Sequence, residues 1–151
     1  VNMTAETTLR LARDFENIVA IKEAAGSVDR VSAIKNMLPD FTVLSGDDSL
    51  AVPMISVGAE GVISVASNVI PKEMGDMVRF AMAGDYVKAR EYHNKYYKLF
   101  RDLFIDVNPV MVKEALALMG KIDRVFRLPL CETTDGNLER MKATLAGVGL
   151  I

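Results

Sequence analysis

Apolar positions recur along this chain first with one period and then with another. Thr8, Leu11, Ala12 and Phe15 fall at the i, i+3, i+4, i+7 spacing of an amphipathic helix. Thr4 is placed to cap that helix, and Glu6 sits near the positive end of its dipole. Ile18-Val19-Ala20-Ile21 follows, a β-branched apolar run that predicts a buried strand. Lys22, Glu23 and the turn Ala25-Gly26-Ser27 end it. Ser27 predicts the cap of a second helix, which runs to about Met37 and stops at Leu38-Pro39-Asp40.

The unit then repeats. Phe41 to Leu44 predicts a second strand ending in Ser45-Gly46-Asp47-Asp48, and Leu50 to Val57 a short helix. Gly58 and Gly61 bracket a turn, Val62 to Val65 predicts a third strand, and Pro71 at a first helical position opens a helix to about Ala83. The strand starts near 18, 41 and 61 have the spacing of a βα repeat, which implies parallel strands joined by right-handed crossovers. From Asp85 onward the pattern is helical throughout. Tyr96, Leu99, Phe100 and Leu103 make the inward stripe of a long helix ending near Ile105. Asn108-Pro109 caps the next, with Val112, Ala115, Leu116 and Met119 inward. A last helix carries Leu138, Met141 and Leu145 and closes at Gly147 and Gly149.

The fold class expected is therefore α/β. Residues 1–84 read as the C-terminal half of a (β/α)8 barrel, and 85–151 as a helical region packed on it. Three parallel strands by themselves leave both sheet edges unpaired, and a complete barrel takes about 250 residues. The sheet is expected to be completed by another chain, a second copy or residues outside this sequence. The start at Val1-Asn2, with no initiator Met, suggests a fragment boundary.

Composition narrows the function. A net charge of −2 and dispersed Lys and Arg show no bias toward nucleic acid. One cysteine, Cys131, excludes an internal disulfide, and one histidine, His93, excludes a histidine-rich metal site. No apolar run approaches the ~20 residues needed to cross a bilayer, and no signal segment opens the chain. A cytoplasmic, metal-free protein is expected.

Three positions stand where a βα barrel keeps its chemistry. Lys22 ends an apolar strand, on the catalytic face of such a barrel. An ammonium is costly to bury, so a lysine held there favours the neutral amine that attacks carbonyls. The competing reading is a lysine that snorkels to the surface or pairs with Glu23. Gly46, at the second strand end, permits a tight turn or a close approach of backbone to ligand. Asp47 reads as an acid or, more simply, as the cap of the following helix. Ile63 on the third strand reads as core. His93 shares a helix face with Ala89, Tyr92 and Tyr96, and reads as packed or surface. The tyrosines at 86, 92, 96 and 97 read as helix packing or a subunit contact.

Ile18-Val-Ala-Ile-Lys-Glu-Ala-Ala-Gly26 resembles the Schiff-base lysine motif of the dihydrodipicolinate synthase / N-acetylneuraminate lyase family. Leu44-Ser-Gly-Asp-Asp48 and Gly61-Val-Ile-Ser-Val65 resemble its next two strand ends, in order and spacing. Val107-Asn-Pro-Val-Met-Val-Lys113 and Arg127-Leu-Pro-Leu130 resemble its helical appendage. The resemblance spans essentially the whole chain and is nearer the synthase branch. It implies that Lys22 forms an imine with pyruvate, whose enamine attacks aspartate semialdehyde to give 4-hydroxy-tetrahydrodipicolinate for lysine biosynthesis. It implies further that Ile63 supplies a backbone carbonyl beside pyruvate, that Gly46 leaves room at the pocket wall, and that no cofactor or metal takes part. The family's tyrosine-threonine-tyrosine relay and carboxylate-binding arginine belong to earlier strands that have no counterpart here. The expected partners are therefore the N-terminal half of the barrel and further copies, the family's usual assembly being a tetramer, and the chain alone is expected to be inactive. A related sugar-acid aldolase or dehydratase, and a non-catalytic half-barrel, remain as alternatives.

Overall fold

Local capping sets most of the element boundaries. The structure, a computed structural model, describes residues 2–151; Val1 lies outside the described residues. Helix α1 (Ala5–Asp14) begins where the Thr4 side chain accepts the Thr7 N–H at 3.1 Å. Its inward face holds Thr8, fully buried, with Leu11 and Ala12 half-buried. Phe15 falls one residue beyond the helix and is exposed rather than packed on that face. Helix α2 (Val28–Met37) is capped by Ser27, which accepts the Arg30 N–H at 3.1 Å. Helix α4 (Pro71–Met82) carries Pro71 in its first turn, where the missing N–H has no partner to lose.

Between these helices lie β1 (Ala20–Glu23), β2 (Thr42–Ser45) and β3 (Gly61–Val62), parallel and in the order β1-β2-β3. A 3₁₀ turn (Asp48–Leu50) leads into the short helix α3 (Ala51–Ser56), and a second (Ala66–Asn68) precedes α4. Helices α5 (Tyr86–Asp102), α6 (Val110–Leu118) and α7 (Asp135–Gly147) follow. This is α/β architecture, three βα units of a (β/α)8 barrel followed by helices, as the strand spacing predicts.

Two boundaries differ from the sequence reading. The first strand lies two residues later than the apolar run, and it is not buried. Ala20 and Lys22 are exposed, and Val19 is 67 % exposed; only Glu23 is fully covered. The strand occupies a sheet edge, and helices cover only one of its faces. The third strand starts at Gly61 and ends after Val62, where Val62 to Val65 was expected. Asp48 takes the Ala66 N–H at 2.9 Å, so the backbone there turns into the 3₁₀ segment instead of extending the ladder. Neither Asp47 nor Asn108 caps a helix through its side chain; Pro109, not Asn108, holds the cap position of α6.

Apolar residues gather in two clusters. Val31, Ile34, Phe41, Val43, Met54 and Ile55 pack between the sheet and helices α2 and α3. Ile70, Met77, Leu99, Phe100, Leu103, Met111, Met141 and Leu145 join α4 to α7. The inward stripe of α5 is as the periodicity predicts, with Tyr96, Leu99, Phe100 and Leu103 all buried. Each such large side chain contributes about 1.5–3 kcal/mol. Among the described residues, no helix is long and apolar enough to cross a membrane.

Candidate active site

Strand geometry sorts Lys22 and Glu23 onto opposite faces of the sheet. Register pairs Lys22 with Leu44 and Leu44 with Gly61, while Glu23 pairs with Ser45 and Ser45 with Val62. Glu23 and Ser45 are fully buried, together with Val43, so theirs is the face beneath the helices. Glu23 Oε2 lies 2.9 Å from Arg30 Nε on α2, and Oε1 accepts the Ala25 N–H at 2.7 Å. Its carboxylate is thus committed to the helix layer and to the turn after β1.

Lys22 projects from the other face and is exposed. Among the described residues it forms no ion pair. Pairing with Glu23, which the sequence left open, is not what the structure shows. Lys22 stands at the C-terminal end of a parallel strand with a free amine, on the face that three strands leave uncovered.

Gly46 and Ile63 stand at the neighbouring strand ends. The Gly46 N–H donates to Glu23 O at 2.6 Å, so the chain passes β1 closely just beyond β2. A Cβ at Gly46 would lie 2.5 Å from Ala24 Cβ and 3.0 Å from Glu23 O. The space that glycine leaves is occupied by Ala24. The Ile63 N–H donates to Ser45 O at 2.8 Å, and its side chain is 45 % exposed rather than part of the core. The Ser45 hydroxyl donates to Asp47 O at 2.8 Å and accepts the Asp47 N–H at 3.2 Å, fixing the turn.

Asp48 is the residue whose place the sequence obscured. It is 2 % exposed, and its Oδ2 ties the turn after β2 to the segment that follows Ile63. Burial pushes its carboxyl pKa up; the Ser64 hydroxyl and the Ala66 and Val65 N–H groups pull it the other way. Among the described residues Oδ1 has no hydrogen-bond partner. The signal was present: a second aspartate directly follows the candidate cap at a strand end. Beyond it, the turn at 47–50, Gly26, Arg140 and α5 enclose a cleft of about 720 Å³ at the C-terminal ends of β1 and β2.

His93 is packed between Tyr97 and Phe100, with ring centroids 5.6 and 6.1 Å away, and burial lowers its pKa. It lies on α5, away from the strand ends. Among the described residues no group of three His, Cys, Asp or Glu side chains is placed to hold a metal.

Comparison with known proteins agrees with this geometry. The 4-hydroxy-tetrahydrodipicolinate synthase of Hydrogenobaculum sp. is 46 % identical over 151 residues, covering all of this chain and 52 % of the relative. The solved dihydrodipicolinate synthase of Aquifex aeolicus superposes with a TM-score of 0.96 at 44 % identity, over 99 % of this chain and 52 % of that one. The chloride-inhibited dihydrodipicolinate synthase of Acinetobacter baumannii, solved in complex with pyruvate, gives 0.96 at 39 % identity, over 100 % of this chain and 52 % of that one. The chain thus spans about half the length of the curated relatives it matches. Residues 1–147 match the Dihydrodipicolinate synthetase family, and the chain, with its three parallel βα units and its lysine at the first strand end, belongs to that family.

Proposed function

We propose that this chain carries the imine-forming lysine of a pyruvate-dependent synthase that condenses pyruvate with aspartate semialdehyde to 4-hydroxy-tetrahydrodipicolinate in lysine biosynthesis. The observation that carries the reading is Lys22: a lysine at the C-terminal end of a parallel strand, on the uncovered sheet face, with its amine in no ion pair among the described residues. The names of the relatives favour the synthase over a sugar-acid aldolase.

In this reading the Lys22 amine attacks the keto carbon of pyruvate, and the carbinolamine loses water to give the imine. Loss of a methyl proton yields an enamine, and the enamine carbon forms a bond to the aldehyde carbon of the acceptor. The aldehyde oxygen takes up a proton and becomes the hydroxyl. The acceptor's own amine then displaces Lys22 from the imine, closing the ring and freeing the lysine. Ile63 lies near the reacting keto acid through its backbone carbonyl. Gly46 shapes the wall by letting the β1 and β2 ends approach one another. Proton transfer to and from these intermediates needs a positioned acid and base, and these are assigned to the N-terminal half of the barrel. That half, as a separate chain or as residues outside this sequence, is the proposed partner. Assembly into a homo-oligomer is proposed for the whole.

Intact mass after incubation with pyruvate and borohydride tests the reading, with and without the N-terminal half. One reduced pyruvate adduct on Lys22, strongest with both halves present, is expected. Lys22→Ala abolishes it. Trapping retained in that variant assigns the imine to another lysine, and no trapping in folded, complete protein removes the enzyme reading.

A further inference from the structure

The end of β2 grips the segment after β3 at two points. Ser45 O accepts the Ile63 N–H at 2.8 Å, and Asp48 Oδ2 accepts the Ala66 N–H at 2.9 Å. Between these anchors the chain leaves the sheet and enters the 3₁₀ turn at Ala66–Asn68. That turn is closed on itself. The Ser64 hydroxyl accepts the Ser67 N–H at 2.8 Å, and the Ser67 hydroxyl donates to Ser64 O at 3.1 Å. Residues 64–68 therefore move as one piece, and Asp48 is the polar tie that fastens this piece to the end of β2.

The Ile63 carbonyl lies between the two anchors. Among the described residues it accepts no backbone N–H, so the strand ladder does not fix its direction. Its direction follows from rotation of the Ile63–Ser64 peptide, held on one side by Ser45 and on the other by the turn that Asp48 ties down. Releasing the second anchor frees that rotation. Asp48 is 2 % exposed, so it acts through the segment and not on a bound molecule. Burial raises its pKa, and the donors that oppose the rise, the Ser64 hydroxyl and the Ala66 and Val65 N–H groups, all belong to this one segment. A carboxylate is costly to bury, and here its compensation comes from a single place. We propose that Asp48 is a positioning residue for the pyruvate step: through the Ala66 N–H it holds the turn after Ile63 and so aims the Ile63 carbonyl at the keto acid on Lys22. The inference rests on the imine reading above and adds to it a residue that acts only through Ile63.

Borohydride trapping on the complete protein over a range of pyruvate concentrations tests this, together with kcat/KM for pyruvate and for aspartate semialdehyde in the condensation. Asp48→Ala removes the acceptor of the Ala66 N–H. It is expected to raise the pyruvate concentration for half-maximal trapping, and to lower kcat/KM for pyruvate, by about tenfold or more, with kcat/KM for the aldehyde unchanged. Asp48→Asn keeps an amide oxygen for the Ala66 N–H and is expected to behave as the wild type on both substrates. Asp48→Ser, whose hydroxyl ends one bond short of that N–H, replaces the alanine variant if the latter does not fold. An unchanged pyruvate dependence in the folded alanine or serine variant overturns the proposal. So does an equal fall in both kcat/KM values, which marks a general loosening of the site. An asparagine variant as impaired as the alanine one also overturns it, because the charge and not the hydrogen bond would then matter. Absence of trapping in the folded wild type is a separate failure: it removes the imine reading, and the positioning role with it.

Discussion

Single side chains at the strand ends can be sorted by substitution into one that serves the proposed imine chemistry and others that hold the fold. Lys22 is exposed and forms no ion pair among the described residues, so Lys22→Ala should change stability by no more than about 0.5 kcal/mol while abolishing the proposed pyruvate adduct. Urea unfolding alongside mass analysis checks both halves of that statement. Its neighbour Glu23 behaves in the opposite way. It is buried against Arg30, and Glu23→Ala leaves that guanidinium without its partner at a cost of about 3 kcal/mol. Gly46→Ala should cost about 1–3 kcal/mol through the clash with Ala24, and Ala24→Gly in the same chain should recover part of it. The lysine and the glycine were legible from their motifs. The committed Glu23 was not, because a strand pattern does not say which helix residue will reach back to it.

Titration at this scale has two opposite signs. Asp102 is fully buried. Burial would raise its carboxyl pKa, but the Arg140, Lys98 and Thr144 donors outweigh that and hold it below the ordinary value. Its contribution to stability is therefore present above about pH 3.9 and is lost as pH falls through the lowered folded value. Lys98 and Arg140 are more than half exposed, so solvent weakens the pairs. Asp102→Asn should flatten the acid limb of a stability–pH curve measured by urea unfolding. Asp48 runs the other way. Its pKa is raised, so its contribution is complete below about pH 3.9 and is lost as pH rises through the folded value. Asp48→Asn should leave stability at pH 7 unchanged or slightly higher.

Helices were more legible than strands at the scale of elements, for a physical reason. Thr4, Ser27 and Pro71 mark helix starts by local chemistry, satisfying or removing orphan donors within a few residues. Ser27→Ala should accordingly cost about 1 kcal/mol, read as a lower urea midpoint. A parallel strand depends on distant partners. The end of β3 after Val62 follows from an aspartate 18 residues earlier taking the Ala66 N–H, and no local pattern carries that information. The apolar run at Ile18–Ile21 announced a strand but not its exposure, since apolar residues also appear where a missing neighbour would cover them.

At the largest scale, β1 and β3 are each paired on one side only among the described residues, and the Lys22 face of the sheet is uncovered. Unpaired strand edges template further pairing. Sedimentation of the chain alone should therefore show self-association, replaced by a defined complex when the N-terminal half is supplied. A monomer that stays unchanged on addition of that half would count against the proposed partner. This scale was legible in the sequence, because βα spacing fixes parallel order and strand counting exposes the incomplete sheet. The cleft between the Asp48 turn and α5 was not, because it joins residues some fifty positions apart through packing alone.

The outward placement of Lys22 also makes it a natural footprinting probe. An amine on an uncovered face acylates readily, whereas the same amine inside a closed barrel is shielded from bulky reagents. Its labelling rate, followed by peptide mapping against the many surface lysines as internal standards, would thus time barrel closure without any substrate. A reagent small enough to enter the finished barrel would then report the access route to the amine, so one residue serves as a clock for assembly and a gauge of the doorway.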